Sequence, residues 1–100
     1  MVQSAIKLLV VEDEPITRSK LVAHFEKEGY DVTCREDATD VLQLVAEENI
    51  ELCLIDINLP GKDGLTLTRE LRATSDVGII LVTGKDEQID RIVGLESGAD

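Results

Sequence analysis

The feature that most restricts the fold of this chain is a set of short strand-like segments that alternate with amphipathic ones. Residues 6–11, 52–55 and 77–82 are nearly uninterrupted apolar runs, and residues 30–34 form a shorter, mixed segment. The runs are rich in β-branched residues and too short for buried helices, so the pattern predicts strands. Strands that are apolar on both faces are typical of parallel sheets covered by helices on both sides.

Two segments between these strands have clear helical periodicity. Residues 15–28 begin with Pro15, which suits a first helical turn, and are followed by Gly29, which favours a left-handed stop. Residues 38–45 repeat apolar side chains at the i, i+3, i+4 and i+7 positions, which predicts a second helix with one buried face.

The periodicity of the remaining connections is weaker. Leu67 and Leu71 favour a third, short helix, although Leu65 together with Leu67 would equally fit a strand. Apolar residues within 89–93 predict a fourth helix, which would end at Gly98.

This alternation predicts an open, doubly wound α/β sandwich. Right-handed crossovers and the need to cover both faces favour the strand order 2-1-3-4, with the switch point between strands 1 and 3. Strand 1 would then separate Cys34 from Cys53, so both thiols are expected to be free. With 100 residues, we expect one domain over residues 1–100.

Composition narrows the possible partners. The 10 Lys and Arg residues against 21 Asp and Glu residues give a net charge of −11, which disfavours direct contact with nucleic acid or an anionic membrane. No apolar run approaches the roughly 18 residues of a membrane span. The polar start of the chain does not resemble a signal peptide, so we expect a cytoplasmic protein.

The candidate chemistry lies directly after the strands. Glu12 and Asp13 follow strand 1, Asp56 follows the run of strand 3, and Thr83 follows strand 4. In a doubly wound sheet these positions meet at the switch-point crevice, where ligands bind. Three carboxylates without histidine or thiolate ligands predict a Mg²⁺ site suited to phosphoryl chemistry.

Each of these residues also has a purely structural interpretation. Asp13 or Glu14 could cap the helix that begins at Pro15, and we assign Glu14 to that cap. Asp56 could be a turn residue, and Thr83 could cap the next helix. The convergence of oxygen groups from three strands favours the functional interpretation.

Three motifs together resemble a known family. Residues 10–15 read VVEDEP, residues 54–61 read LIDINLPG and are followed by Asp63 and Gly64, and residues 81–84 read LVTG. Over its whole length the chain resembles the receiver domains of bacterial two-component response regulators. Residues 94–100, GLESGAD, resemble the subgroup whose receivers are fused to a winged-helix DNA-binding domain.

The resemblance implies a flavodoxin-like, CheY-like three-layer sandwich and a role for each site residue. Asp56 would be the phosphoacceptor of a sensor histidine kinase, and Thr83 the switch hydroxyl. Mg²⁺ would be held by Glu12, Asp13, Asp56 and the backbone carbonyl of Asn58. Such a domain is a phosphoacceptor rather than an enzyme acting on other substrates.

The resemblance also implies an output surface. Arg91, Glu96 and Asp100 would belong to a homodimerisation face on the fourth helix, although they equally fit a solvated charged face. DNA would be bound only through a C-terminal domain outside these residues, and no membrane contact is expected.

The chain departs from the family pattern after residue 100, because receivers continue into a fifth strand and a fifth helix. We therefore expect a C-terminally shortened receiver, in which residues 79–82 form an exposed sheet edge unless another chain covers it. Two alternative functions remain: a Mg²⁺-dependent phosphatase or phosphotransferase with an aspartyl nucleophile, and a free-standing receiver that acts as an adaptor.

Overall fold

The computed structural model describes residues 5–59, 61–82 and 92–96. Strands and helices alternate along most of this part of the chain. The elements are β1 (Lys7–Val11), α1 (Pro15–Lys27), β2 (Asp31–Arg35), α2 (Val41–Glu48), β3 (Leu52–Asp56), α3 (Gly64–Thr74), β4 (Gly78–Val82) and β5 (Ile92–Glu96). The strands and helices predicted up to Val82 are thus present.

The strands form one sheet in the order β2-β1-β3-β4-β5. β1 pairs in parallel with both β2 and β3, and β3 pairs in parallel with β4. The predicted order 2-1-3-4 is confirmed, and the switch point lies between β1 and β3. Cys34 and Cys53 lie on opposite sides of β1 and are both free thiols, as expected.

Helix α1 begins and ends where its sequence signals predict. Glu14 is the N-cap, and its side chain accepts a hydrogen bond of 2.8 Å from the backbone N–H of Thr17. Pro15 occupies the first turn, where its missing N–H leaves no bond unmade. Gly29 follows the helix with φ +99°, a left-handed conformation that glycine adopts readily.

Two apolar cores on opposite faces of the sheet make the structure three-layered. On one face, Leu8, Val10 and Leu54 pack with Leu21 of α1. On the other face, the strands pack against both α2 and α3 through a larger cluster that includes Val41, Val45, Leu67, Leu71 and Ile55. The ambiguous segment around Leu67 is therefore a helix, because Leu67 and Leu71 are both fully buried on its inner face.

The prediction of a helix across residues 92–96 is wrong. These residues form β5, which pairs antiparallel with β4 through Ile79↔Glu96 and Ile80↔Leu95. The chain itself covers the edge of β4, so the expectation of an exposed edge is also wrong. Three physical causes favour the strand. Ile92 and Val93 are β-branched, and an interior Gly94 would destabilise a helix. The otherwise unpaired N–H and C=O groups of β4 also offer hydrogen bonds to this segment.

Helices long and apolar enough to cross a bilayer are absent from the described residues.

Candidate functional site

The candidate site lies at the carboxyl ends of the two central strands. Glu12 and Asp13 directly follow β1, and Asp56 is the last residue of β3. Because β1 and β3 are hydrogen-bonded neighbours in parallel, their ends deliver these side chains to the same crevice.

Three carboxylates converge there. Glu12, Asp13 and Asp56 each offer an oxygen, and these oxygens all lie within 4.8 Å of one another. Glu12 and Asp56 are both only 5% exposed, whereas Asp13 is exposed. Together with Glu14 and Asn58, they line a cleft of about 210 Å³. The cleft is small, acidic and open to solvent on the side of Asp13.

Backbone N–H groups orient the two buried carboxylates. The N–H of Glu14 donates to Oε2 of Glu12 over 3.1 Å, and the N–H of Asn58 donates to Oδ1 of Asp56 over 3.0 Å. Each bond comes from the residue two positions further along the chain, so the connection after each strand folds back onto its own acid. The carboxylates are thereby held toward the cleft.

Burial is the main reason that the pKa of Glu12 is raised from 4.5 to about 7. The charges of Asp56 and Asp13 add to the increase, while the hydrogen bond from the Glu14 N–H opposes it. A cation bound in the cleft would stabilise the ionised form of Glu12 and so lower its pKa again.

We expect Glu12→Gln to stabilise the metal-free protein at high pH but not at low pH. Between pH 4.5 and 7 the folded protein retains the Glu12 proton that the unfolded chain releases, so folding stability falls as pH rises through this window. The amide that replaces the carboxyl group in the variant cannot ionise. The free energy of unfolding of the variant relative to wild type should therefore increase by about 2 kcal/mol between pH 5 and 8, as measured by urea denaturation in EDTA.

The matched control is Glu26→Gln, which replaces an exposed acid of α1. Its effect on the free energy of unfolding should change little over the same pH range. A difference between Glu12→Gln and wild type that stays constant from pH 5 to 8 would contradict the raised pKa.

Gly64 is a residue of the site that the sequence motif contained but whose role was not predicted. A Cβ at this position would collide with the backbone carbonyl oxygen of Asp56 and would lie 2.8 Å from Cα of Ile57. The Gly64 N–H also donates to the Ile57 carbonyl over 2.9 Å. The start of α3 thus packs directly against the end of β3, and Asp63 caps the helix by accepting from the Thr66 N–H. An Asp before a helical run is the sequence signal for such a cap.

Several predicted site residues cannot be placed beside the cleft. Thr83, Arg91 and Asp100 lie outside the described residues. Glu96 is the last residue of β5 and therefore is not on a helix. Asn58 does line the cleft, next to the three acids.

The sheet order and the acid cluster are those that the resemblance to receiver domains implies. The family model described as "Response regulator receiver domain" matches residues 8–100. The chain belongs to this family.

Two of the relatives are named as transcriptional regulatory proteins. The transcriptional regulatory protein AruR of Pseudomonas aeruginosa is 56% identical over 99 residues, which cover 94% of this chain and 41% of AruR. The wording of residues 56–60 and 90–96 predicts a resemblance to TorR, with ArcA next, and both regulators are confirmed as relatives. The TorCAD operon regulator TorR and the aerobic respiration control protein ArcA, both of Escherichia coli K12, are each 50% identical over 93 residues, 93% of this chain. The chain spans about 40% of the length of these relatives.

A solved receiver domain has the same fold. The BeF3-activated N-terminal receiver domain of RstA from Klebsiella pneumoniae matches with a TM-score of 0.74 and 36% identity, covering 84% of this chain and 72% of that chain.

Proposed function

We propose that Asp56 accepts a phosphoryl group from a sensor histidine kinase. The observation that carries the proposal is the placement of Asp56 at the end of β3, within 4.8 Å of two further carboxylates, in a chain that belongs to the receiver family. Asp56 is buried, but it lines the cleft, so a small phosphoryl donor can reach it.

We further propose that Mg²⁺ is the cation of this site, held by Glu12, Asp13, Asp56 and the backbone carbonyl of Asn58. The donor set supports this choice, because it offers only oxygen ligands, which suit Mg²⁺ better than softer metals. The raised pKa of Glu12 also supports a cation here, since a positive charge would stabilise the ionised carboxylate. When bound, Mg²⁺ would neutralise charge on the carboxylates and on the phosphoryl oxygens.

The residues of the site have distinct roles in the phosphoryl transfer. An Asp56 carboxylate oxygen forms the new bond to phosphorus, and the bond between phosphorus and the donor's imidazole nitrogen breaks. The electron pair of that bond stays with the imidazole. The Asn58 N–H donates to Oδ1 of Asp56 and so orients the carboxylate in the cleft. Glu12 and Asp13 supply the negative charge that a cation must balance.

The output of this receiver is also part of the proposal. We assign Thr83 as the switch hydroxyl and residues 1–100 as a receiver unit of a cytoplasmic, DNA-binding regulator. The relatives are transcriptional regulators of which this chain spans about 40%, and this supports a DNA-binding domain elsewhere in the protein. We also propose that three charged residues contribute to a homodimerisation surface. They belong to the segment that contains β5 and are Arg91, Glu96 and Asp100.

The test of phosphoryl acceptance is to incubate the full-length protein with acetyl phosphate, with and without Mg²⁺, and to measure its intact mass. We expect one phosphoryl group per chain in Mg²⁺, almost none in excess EDTA, and an adduct that maps to the peptide containing Asp56 after digestion. An unmodified protein that is demonstrably folded, or an adduct on another peptide, would refute the proposal.

A further inference from the structure

Arg18 of α1 contacts three consecutive carbonyl oxygens of the connection between β1 and α1. Its Nη1 donates to the carbonyl of Glu12 over 3.0 Å and to the carbonyl of Asp13 over 3.3 Å. Its backbone N–H donates to the carbonyl of Glu14 over 2.8 Å. The last bond belongs to the first turn of any helix, but the two side-chain bonds do not.

The two carbonyls that the side chain holds belong to acids of the cluster. Glu12 and Asp13 supply two of its three carboxylates, and the charges of Asp13 and Asp56 raise the pKa of Glu12. When ionised, carboxylates this close repel one another, and two of the three are carried by this short connection. The two Arg18 bonds to the backbone of that connection hold it in place against this repulsion.

The two side-chain hydrogen bonds of Arg18 go to backbone carbonyls, while its charge also interacts electrostatically with the Glu14 carboxylate. Arg35 forms an ion pair with Asp40, and Lys62 forms one with Glu70. Arg18 is also half-buried, which reduces competition from water for its two hydrogen bonds. Its side chain therefore links α1 to the acid-bearing connection.

We propose that Arg18 is a positioning residue of the metal site. By holding the carbonyls of Glu12 and Asp13, it keeps their carboxylates close enough to Asp56 to share one divalent cation. The inference rests on the proposed function, because the Mg²⁺ site is part of that proposal. It assigns Arg18 no contact with the cation or with the phosphoryl group.

Loss of the Arg18 charge and loss of its two hydrogen bonds should change the Mg²⁺ affinity in opposite directions. Arg18→Met removes a positive charge near an acidic site, and charge alone would make Mg²⁺ bind more tightly. Loss of the two backbone bonds would let the connection move, and Mg²⁺ would then bind about tenfold more weakly, the usual result of losing a residue that orients metal ligands. The direction of the change separates the two effects.

Two further variants complete the comparison. Lys20→Met removes the same charge from an exposed position on the same helix, so its Mg²⁺ affinity should equal or slightly exceed that of wild type. Arg18→Lys keeps the charge on a shorter, single-headed donor and should restore part of the affinity that Arg18→Met loses.

The experiment is a calorimetric titration of each full-length variant with MgCl₂ alone, without a phosphoryl donor, after far-UV circular dichroism has shown that each variant is folded. The expected order of affinity is wild type and Lys20→Met first, then Arg18→Lys, then Arg18→Met. Arg18→Met binding as tightly as Lys20→Met would overturn the inference, and so would a wild type that binds no Mg²⁺. If both Arg18 variants were unfolded, Arg18 would be a fold-stabilising residue and the inference would also fail.

The outcome can be separated from that of the proposed function. A wild type that binds Mg²⁺ with the expected dependence on Arg18, but takes no phosphoryl group from acetyl phosphate, would refute the proposed function and leave the positioning role intact.

Discussion

The Asp56→Asn variant is expected to acquire no phosphoryl group under conditions in which the wild-type protein is fully modified. The amide is nearly the same size as the carboxylate, and its oxygen can still accept the hydrogen bond from the Asn58 N–H, so the cleft should keep its shape. A neutral amide is a poor nucleophile toward phosphorus and a weaker cation ligand. Intact-mass measurement after incubation with acetyl phosphate and Mg²⁺ gives the result directly.

The matched control for this variant is Asp37→Asn. Asp37 is a half-buried acid whose side chain accepts a hydrogen bond from the Thr39 N–H, as Asp56 accepts one from Asn58. It is not a member of the acid cluster, so its replacement should leave the adduct in place. A phosphoryl adduct that survives Asp56→Asn would show that the acceptor lies elsewhere.

The Asp56→Asn variant should also lower the pKa of Glu12, because Asp56 raises it both through its charge and through a hydrogen bond. The decrease can be followed by NMR titration of the Glu12 carboxyl carbon in metal-free protein. This second measurement reports on the geometry of the cluster and needs no phosphoryl donor. An unchanged titration would mean that Asp56 and Glu12 do not interact as the structure indicates.

The Gly64→Ala variant is expected to damage both the stability of the domain and its reactivity. The new Cβ would meet the Asp56 carbonyl oxygen and the Ile57 Cα, which are backbone atoms with no rotamer to change. Either α3 or the end of β3 must move, at a cost of about 2–4 kcal/mol in the free energy of unfolding, only partly offset by the better helix propensity of alanine. A displaced Asp56 should also react about tenfold or more slowly with acetyl phosphate in the molecules that remain folded.

Gly78→Ala is the control for this second variant. The same added methyl would lie 3.1 Å from Cδ1 of Leu52, the flexible end of a side chain that can shift by a few tenths of an ångström. Urea denaturation should show a loss of no more than about 1 kcal/mol for Gly78→Ala. Equal losses for the two variants would contradict the argument that contact with the backbone is the cause.

Much of the fold could be predicted from the sequence because local pattern and tertiary packing agree. The apolar runs around Leu8 and Leu54 are strands that the sheet buries on both faces, and Leu67 and Leu71 fill one core from one helix face. The segment around Val93 shows where this agreement ends. Only a few apolar residues there have helical spacing. The backbone of the segment instead forms hydrogen bonds with the edge of β4, which would otherwise be unpaired.

The residue types of the site could also be predicted, but not its detailed contacts. Glu12, Asp13 and Asp56 follow strand signals, so the rule for parallel sheets brings them to one edge. The approach of Gly64 to the Asp56 backbone and the bonds from Arg18 depend on how the helices sit against the strand ends. No spacing in the sequence encodes these distances.

The parallel pairing of β1 with β3 has a consequence for how the protein matures. Glu12 and Asp13 are synthesised early, but they lack Asp56 until β3 has emerged and paired with β1. At the proposed Mg²⁺ site, a half-made chain would lack one of the three carboxylates, so the cation would bind only the completed central sheet. A ligand that binds the native state alone at 100 times its dissociation constant contributes about 2.7 kcal/mol to the free energy of unfolding. Cellular Mg²⁺ would thus stabilise the domain only late in its synthesis, after β3 has paired with β1.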